Sequence, residues 1–288
     1  MHVRKHFNVL LVDDEADVLS ISKIALRHIR VWDIPLKIHT ATSKAEAMEF
    51  VKAQGPIPDL SLAIIDVVME TDTAGLELCK FIRSDCNNQI TPLVVRTGQA
   101  GKAPERDVID RFDISQYITK VEATEDRLYT IVKSSLRQFV WGRLAQALTA
   151  NTNFLIEKAR SRETLLAGVR QIQGRNNVDR AGAALTDVET HHCYFIDDHV
   201  IGCGDYADMA RAKEARRALQ STAPLVTTAA GTLRRSGDQV LLSPPNAAKG
   251  AMVEMLGRTT FDPVPDFQMD AFLGFCQTLQ RLWSLGSV

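Results

Sequence analysis

The chain has 288 residues, a length that predicts two domains, and its formal net charge at pH 7 is only −1. This balance argues against the broad basic surface that attracts nucleic acids and anionic membranes, so we expect neither as a partner. Hydrophobic residues make up 45% of the sequence and charged residues 24%, a composition typical of a globular protein with a buried core.

Targeting and redox signals are weak in this sequence. No stretch approaches the roughly 18 consecutive apolar residues that cross a bilayer. The basic start, Met1–His6, is followed by an apolar run too short for a secretory signal, so we expect the cytoplasm. The five cysteines form no C-x-x-C pair, which argues against a disulfide framework and against a zinc site of ordinary spacing.

The first part of the chain alternates strands and helices. Short apolar runs predict buried parallel strands, and apolar residues at helical spacing predict the helices between them. This order predicts an α/β domain with a doubly wound five-stranded parallel sheet of the flavodoxin-like kind. The predicted strands are Phe7–Val12, Leu36–Thr42, Leu60–Val67, Pro92–Thr97 and Ile114–Thr119. The predicted helices are 16–30, Lys44–Gln54 with Ser43 as N-cap, Gly75–Arg83, Glu105–Phe112 and a long helix from about Thr124.

Polar side chains follow four of these strands, at the edge where open α/β sheets place their functional crevice. Asp13 and Asp14 follow the first strand, and Asp66 ends the third. Thr97 ends the fourth strand and Lys120 follows the fifth. Clustered carboxylates repel one another unless a cation lies among them, and oxygen ligands suit Mg²⁺. A carboxylate can also attack phosphorus, and a metal, a lysine and a hydroxyl would then neutralise the transferred group.

Four short blocks at these strand ends resemble the receiver (CheY-like) domain of two-component response regulators. The blocks are Leu11–Glu15, Ile64–Met69, Val95–Gly98 and Tyr117–Lys120, in the family's order and spacing. The resemblance implies that the carboxylate of Asp66 is phosphorylated. The phosphoryl donor would be a phosphohistidine on a sensor histidine kinase or a phosphotransfer protein.

The same resemblance implies a magnesium site beside the phosphoacceptor. Asp14, Asp66 and the main-chain carbonyl of Val68 would bind Mg²⁺ directly. Asp13 would act mainly through water. These ligands come from the first and third predicted strand ends, which the sheet order is expected to bring together.

The resemblance also assigns the remaining polar residues. Thr97 would hydrogen-bond the phosphoryl oxygens, Lys120 would pair with them, and Tyr117 would be the aromatic switch that moves inward with Thr97. Two departures stand out. Val121 follows the lysine at a position where the family commonly has proline. We therefore expect the loop that carries Lys120 to have a conformation different from that of the family. The loop Glu70–Ala74 is long and acidic, which we expect to alter partner choice or phosphoryl lifetime.

From residue 123 to 173 the pattern predicts one or two long connecting helices. The segment Asn151–Asn153 predicts a weak interruption before a helix over Phe154–Ile172. The apolar stripe leaves two readings open: a coiled coil or bundle with a second copy in a dimer, or a helix packed on its own domain. The stripe consists of Leu128, Ile131, Val132, Leu136, Phe139, Val140, Leu144, Ala147 and Leu148.

Residues 174–288 predict an α+β domain with a mostly antiparallel sheet. We therefore divide the chain into a receiver domain over 1–122, the connecting helices over 123–173 and this last domain. Its strand candidates are Ala181–Val188, Cys193–Ile196, Val200–Cys203, Leu225–Ala229, Val240–Ser243 and Ala251–Leu256. Its helices are predicted over Tyr206–Gln220 and Phe267–Leu285.

The last domain resembles a GAF-type sensor fold. The segments Val68–Asp72 and Arg96–Glu105 resemble a bacterial subgroup in which a receiver precedes an uncharacterised GAF-like domain, often followed by an HD-GYP phosphodiesterase. No HD dyad and no Gly-Tyr-Pro triplet occurs in this sequence, so hydrolysis of cyclic-di-GMP is not expected from it.

These observations predict a response regulator that signals through its GAF-like domain by protein–protein contact, as a homodimer and without binding DNA. The alternative is a small-molecule-sensing GAF-like module that gates the receiver, with a ligand that the sequence does not identify. We predict no enzymatic activity beyond Mg²⁺-dependent self-phosphorylation and slow autodephosphorylation, because the second half lacks a recognisable catalytic set.

Overall fold

The structure is a computed structural model and describes residues 2–54, 59–98, 105–122, 124–175, 188–245 and 252–285. Its contacts divide the chain into two units, His6–Arg143, and Met1–Lys5 together with Leu144–Val288. The division predicted from the sequence, with boundaries after residues 122 and 173, stays a prediction. Within the described ranges, no helix is both long enough and apolar enough to cross a lipid bilayer. Three predicted features lie wholly or partly outside these ranges: most of the strand Ala181–Val188, residue Ala251, and residues 99–104 of the subgroup segment.

The first strand of the chain, β1 (His2–Arg4), belongs to the second unit and is described with it. The strands of the first unit are β2 (Phe7–Val12), β3 (Arg30–Val31), β4 (Ile34–Ala41), β5 (Leu60–Asp66), β6 (Leu93–Thr97) and β7 (Gln116–Thr119). Its helices are α1 (Ala16–Leu26), α2 (Lys44–Ala53), α3 (Ala74–Lys80), α4 (Glu105–Phe112) and the beginning of α5 (Glu125–Lys158). A π-helical turn, Phe81–Asp85, continues α3.

The first unit contains the predicted doubly wound parallel sheet. The strand order is β3-β4-β2-β5-β6-β7, and all neighbouring strands are parallel except β3 and β4. Every residue of β2, β5 and β6 is buried, because helices cover both faces of a doubly wound sheet. The cap prediction for α2 is confirmed, since Ser43 Oγ accepts a hydrogen bond from the backbone N–H of Glu46.

The short hairpin β3–β4 was not predicted, and the helix expected over 16–30 is too long. Helix α1 ends at Leu26. Trp32 and Asp33 have positive φ angles of 52° and 62°, the conformation of a tight turn, and Arg30 Nε donates to Asp33 Oδ1 at 2.9 Å. This turn reverses the chain into β4, so the helix cannot continue to residue 30.

The second unit is rich in sheet. Its further strands are β8 (Val188–Thr190), β9 (His192–Ile196), β10 (His199–Cys203), β11 (Leu225–Thr228), β12 (Gly231–Ser236), β13 (Gln239–Ser243) and β14 (Val253–Arg258). Its helices are the end of α5, α6 (Arg162–Arg175), α7 (Met209–Thr222) and α8 (Asp266–Leu285). Six strands form an antiparallel sheet in the order β10-β9-β14-β13-β12-β11, and β1 pairs with β8. An antiparallel sheet was predicted here; its GAF-like identity stays a prediction.

Strands β1 and β12 were missed by the sequence prediction. Strand β12 carries Arg234 and Arg235, which obscure the apolar alternation that marks a strand. Arg234 Nη1 donates to Ala223 O at 2.8 Å, and Arg235 Nη1 lies 3.1 Å from Asp262 Oδ1. Both charged side chains therefore have partners that the local pattern does not reveal.

The predicted interruption at Asn151–Asn153 is wrong, because α5 continues to Lys158. Asparagine lowers helix stability only slightly, and packing overrides such a preference. The actual break lies just before α6. There Ser161 Oγ accepts from the backbone N–H of Thr164 at 3.2 Å, and Thr164 Oγ1 accepts from the N–H of Ser161 at 2.9 Å.

Most of the apolar stripe on the long helix is buried within the chain. Of the two readings left open, the structure shows this part of the helix packed inside its own chain, so these residues are not free to form the seam of a coiled coil. The homodimer itself stays a prediction. Leu148 is half-buried and Ala147 is exposed. The buried members are Leu128, Ile131, Val132, Leu136, Phe139, Val140 and Leu144.

Candidate functional site

Four strand ends of the first unit bring the predicted polar residues to one edge of the sheet. Asp13 directly follows β2, and its backbone N–H donates to Ala41 O at 3.2 Å. Asp66 is the last residue of β5 and Thr97 the last residue of β6. Lys120 follows β7, and its backbone N–H donates to Thr97 O at 2.8 Å. The carboxyl-end rule for parallel sheets thus predicts this edge correctly.

Lys120 joins the acidic side chains of this edge. Its Nζ lies 3.1 Å from Asp66 Oδ2, 3.3 Å from Asp13 Oδ2 and 2.8 Å from Glu15 Oε1. Burial alone would lower the pKa of Lys120, but hydrogen bonds to Glu15 and Asp66 raise it above its usual value. Val121, which stands where the family often has proline, is 90% exposed, and the lysine still reaches both carboxylates.

Asp66 is a buried carboxyl with one unused oxygen. It is 2% exposed, and this burial raises its pKa to about 6, against the opposing hydrogen bond from Lys120 and with a further contribution from the charge of Asp13. Its Oδ2 meets Lys120, whereas its buried Oδ1 has no hydrogen-bond partner among the residues that the structure describes. A buried acceptor of this kind is costly unless it binds a further group.

The donor set beside Asp66 fits a divalent cation. Carboxylate oxygens of Asp13, Asp14 and Glu15 lie within 4.8 Å of one another, with Asp13 fully buried and the other two exposed. Oxygen donors of this type, together with the unused Asp66 Oδ1, suit Mg²⁺. Glu15 was not predicted as a site residue, although it completes the Asp-Asp-Glu run in the sequence.

Thr97 and Tyr117 lie on neighbouring strands close to this edge. Thr97 is 2% exposed at the end of β6, and β6 pairs with β7 so that Val95 faces Tyr117. The Tyr117 ring is half-buried and packs against the hydrophobic core of the first unit. The switch role of Tyr117 stays a prediction.

The loop after Asp66 is constrained by a glycine. A Cβ added at Gly75 would lie 1.9 Å from the Asp66 carbonyl oxygen, and the Gly75 N–H donates to Val67 O at 3.1 Å. Val68, the predicted main-chain ligand, lies half-buried in this loop. Glu70 in the same loop accepts from the backbone N–H of Lys44 at 2.8 Å, so its carboxylate is tied to the beginning of α2.

Arg96 is a site residue that the sequence prediction missed. It is 4% exposed, its Nη2 lies 2.8 Å from Asp13 Oδ2, and its Nη1 donates to Ser22 Oγ at 2.7 Å. The sequence did hold a signal for it, namely a cationic residue one position before the end of a buried strand. A buried charge requires a partner, so this arginine could have been expected to pair with one of the acids. In the strand register Arg96 is opposite Asp66.

Comparison with known proteins concerns the first unit. Residues 9–133, less than half of the chain, match the response regulator receiver domain family. A curated relative, the 3'3'-cGAMP-specific phosphodiesterase 2 of Vibrio cholerae serotype O1, is 40% identical over 139 residues. This match covers 48% of the present chain and 26% of the relative, so the chain spans about a quarter of that protein's length.

Two solved structures also resemble this unit. One is the signal receiver domain of an HD domain-containing protein from Pseudomonas fluorescens, at 18% identity and a TM-score of 0.42, covering 49% of this chain and 94% of that chain. The other is a signal receiver domain of a two-component histidine kinase from Clostridium thermocellum, at 24% identity and a TM-score of 0.38, covering 45% and 96%.

The prediction that this chain has no enzymatic output is contradicted by the curated relative, which is a phosphodiesterase. The identity covers only the receiver region. The sequence prediction had rested on the lack of a recognisable catalytic set in the second half, a region that this match does not reach. The family match, the parallel sheet and the acidic edge with its lysine agree on one assignment. Residues 9–133 form a response regulator receiver domain.

Proposed function

We propose that this chain is a phosphorylation-controlled regulator in which Asp66 accepts the phosphoryl group. The supporting observation is the Lys120 ammonium, which lies 3.1 Å from Asp66 Oδ2 and 3.3 Å from Asp13 Oδ2. Such a cation neutralises charge on a transferred phosphoryl group while the carboxylate attacks. The donor is a phosphohistidine on a sensor histidine kinase or phosphotransfer protein, and the reaction takes place in the cytoplasm.

The chemical step uses the chain's own groups. The Asp66 carboxylate attacks phosphorus, forming a P–O bond as the N–P bond of the phosphohistidine breaks and the imidazole leaves. Asp14, Asp66 and the Val68 carbonyl would hold Mg²⁺, with Asp13 acting through water, and the ion would supply charge neutralisation for the phosphoryl oxygens.

Two further side chains stabilise the phosphorylated state. Lys120 pairs with one phosphoryl oxygen, and the Thr97 hydroxyl donates a hydrogen bond to another. Phosphorylation shifts a two-state equilibrium only through contacts that differ between the states, and the hydrogen bond from Thr97 is the contact that we propose. Tyr117, on the neighbouring strand, follows the movement of Thr97.

The output we propose is control of phosphodiesterase activity toward a cyclic dinucleotide. The support is the curated relative, a 3'3'-cGAMP-specific phosphodiesterase that shares 40% identity over 139 residues. The second unit takes part as a GAF-like module that makes protein–protein contacts, including those of a homodimer. Sensing of a small molecule by this unit remains the alternative prediction.

The phosphoacceptor assignment is tested by labelling the full chain with acetyl phosphate and Mg²⁺. We expect one phosphoryl group per wild-type chain and none on D66N. The control variant D72N removes an exposed acid of the neighbouring loop and keeps full labelling. Labelling of D66N at the wild-type stoichiometry would refute the assignment.

The output is tested on the same proteins by following hydrolysis of 3'3'-cGAMP. The wild-type chain loaded with beryllofluoride, a phosphoryl mimic, should differ in rate from the unloaded chain, whereas D66N should not respond. Equal rates for loaded and unloaded wild-type protein would contradict the proposed output and leave the labelling result unaffected.

A further inference from the structure

The carboxylate of Asp13 is held by three neighbouring groups of the protein. Its Oδ2 accepts a hydrogen bond from Arg96 Nη2 at 2.8 Å and lies 3.3 Å from Lys120 Nζ, and its Oδ1 accepts from the backbone N–H of Glu15 at 3.0 Å. A metal ion that bound Oδ2 would have to displace one of these two cations, whereas Oδ1 keeps one lone pair. The Asp13 side chain is therefore fixed by the protein before any metal arrives.

Arg96 also reduces the negative charge of the site without a metal. Four acids, Asp13, Asp14, Glu15 and Asp66, share this edge with two cations, Arg96 and Lys120. Of these acids Asp13 and Asp66 are buried, and with Lys120 alone their charges would attract a divalent ion more strongly. The second resident cation lowers the excess negative charge and repels an incoming cation.

The burial of Arg96 costs free energy because one of its donors is left without a partner among the described residues, which argues against an incidental ion pair. Its Nε is buried and has no hydrogen-bond partner among the described residues, whereas Nη1 and Nη2 are bonded to Ser22 and Asp13. A second buried arginine of the same unit, Arg83, contacts carbonyl oxygens at three positions and has no site carboxylate among those hydrogen bonds. Burial of an arginine in this unit thus does not require a partner in the acidic site.

We infer that Arg96 is a positioning residue that acts as a resident cation: it keeps Asp13 Oδ2 away from direct metal coordination and weakens the affinity of the acidic site for Mg²⁺. This inference rests on the proposed function, because it concerns the same metal site. Its consequence is a receiver whose acidic edge is ordered without metal and binds Mg²⁺ tightly only when a phosphoryl group adds negative charge.

The test is Mg²⁺ binding to the full chain, measured by titration calorimetry without any phosphodonor. R96Q keeps an N–H donor for Asp13 but removes the positive charge, and its amide oxygen can accept from the Ser22 hydroxyl in place of the N–H that Arg96 donates to Ser22 Oγ. R96K keeps the charge. R83Q is the matched control for loss of a buried arginine. We expect R96Q to bind Mg²⁺ about tenfold more tightly than wild type, and R96K and R83Q to stay within about twofold of it.

A stability measurement gives a second readout that does not depend on phosphorylation. In EDTA, R96Q should unfold at a lower temperature than wild type, because Asp13 then lacks its charge partner. Added Mg²⁺ should raise the melting temperature of R96Q more than that of wild type, as tighter binding to the folded state requires. A purely structural role for Arg96 would lower stability equally with and without Mg²⁺.

The outcomes separate this inference from the proposed function. If D14N abolishes Mg²⁺ binding and R96Q binds no more tightly than wild type, the role of Arg96 is wrong and the metal site stands. If neither wild type nor R96Q binds Mg²⁺, both fail. Tighter binding by R96Q together with unchanged binding by R96K supports the inference.

Discussion

Lys120 Nζ lies 3.1 Å from Asp66 Oδ2, although the two residues follow strands β7 and β5, which are separated in the sheet by β6. The ammonium therefore reaches across the end of the intervening strand. Its backbone N–H donates a hydrogen bond to Thr97 O at the end of that strand, which fixes the backbone position from which the lysine side chain extends. One lysine thus links the phosphoacceptor strand to the strand that carries the predicted switch aromatic.

Replacement of this lysine should impair phosphorylation more than folding. In K120M, the Asp66 carboxylate loses the cation that neutralises the phosphoryl oxygens, so labelling by acetyl phosphate should slow by on the order of a hundredfold. The rate is measured by following phosphorylated protein over time at fixed Mg²⁺. K80M, at an exposed lysine at the end of α3, serves as control and should keep the wild-type rate. A K120M rate equal to wild type would contradict the assigned role.

The raised pKa of Asp66 predicts how stability depends on pH. The carboxyl ionises at a pKa of about 6 in the folded chain, against a usual value of 3.8, so the folded state binds its proton more tightly. Asp66 therefore contributes stability that is fully present below pH 3.8 and is lost as the pH rises through 6. The shift corresponds to about 3 kcal/mol between pH 3.5 and pH 8.

D66N makes this loss measurable, because its amide does not titrate. In EDTA, the free energy of unfolding of D66N minus that of wild type should grow by about this amount from pH 3.5 to pH 8. Urea unfolding at several pH values provides the measurement. D72N, at an exposed acid of the neighbouring loop, is measured in parallel as the control for loss of a carboxyl group. A constant difference for D66N would mean that its carboxyl is not perturbed.

Gly75→Ala should disturb the phosphoacceptor loop. Its Cβ would lie 1.9 Å from the Asp66 carbonyl oxygen, and backbone has to move to relieve that contact. We expect a loss of at least about 2 kcal/mol in unfolding free energy and slower labelling of Asp66. Gly98→Ala is the matched control, because among the described residues its Cβ would contact Lys120 Cδ alone, at 3.7 Å, which is an ordinary contact. Equal effects of the two substitutions on unfolding free energy and on labelling would contradict this explanation.

The acidic edge could be predicted from sequence because each of its parts follows a buried strand. Runs such as Phe7–Val12 and Leu60–Asp66 are recognisable as parallel strands, and the carboxyl-end rule then places Asp13, Asp66 and Lys120 together. Arg96 could not be found in this way. Its second partner, Ser22, lies 74 positions away on α1, and no local pattern links the two.

Long-range pairing also explains what was missed in the second unit. Strand β1 has only three residues and pairs with β8 about two thirds of the chain length away, from His2 with Thr190 to Arg4 with Val188. Three residues show no measurable alternation, so such a strand is defined by its partner alone. The continuous helix across Asn151–Asn153 has a similar cause, because packing at Leu155, which is fully buried, outweighs a weak local preference.

The second unit offers a test of its own in a buried ion pair. Glu254 on β14 is 6% exposed, and its Oε1 accepts from Ser243 Oγ at 2.7 Å. Arg216 on α7 forms an ion pair with Glu254 Oε2 and lies over the Phe195 ring at 4.5 Å. Removal of one partner leaves a desolvated charge, whereas removal of both leaves an apolar contact.

R216M alone should therefore destabilise the second unit by about 3 kcal/mol, because the Glu254 carboxylate stays buried without its cation. The double variant R216M/E254L should recover most of this loss, since the methionine and leucine side chains can pack on Phe195. Urea unfolding of the four proteins of this cycle measures the coupling, with R217M at an exposed position as control. A double variant as unstable as the sum of the two single variants would show that the pair does not act as a unit.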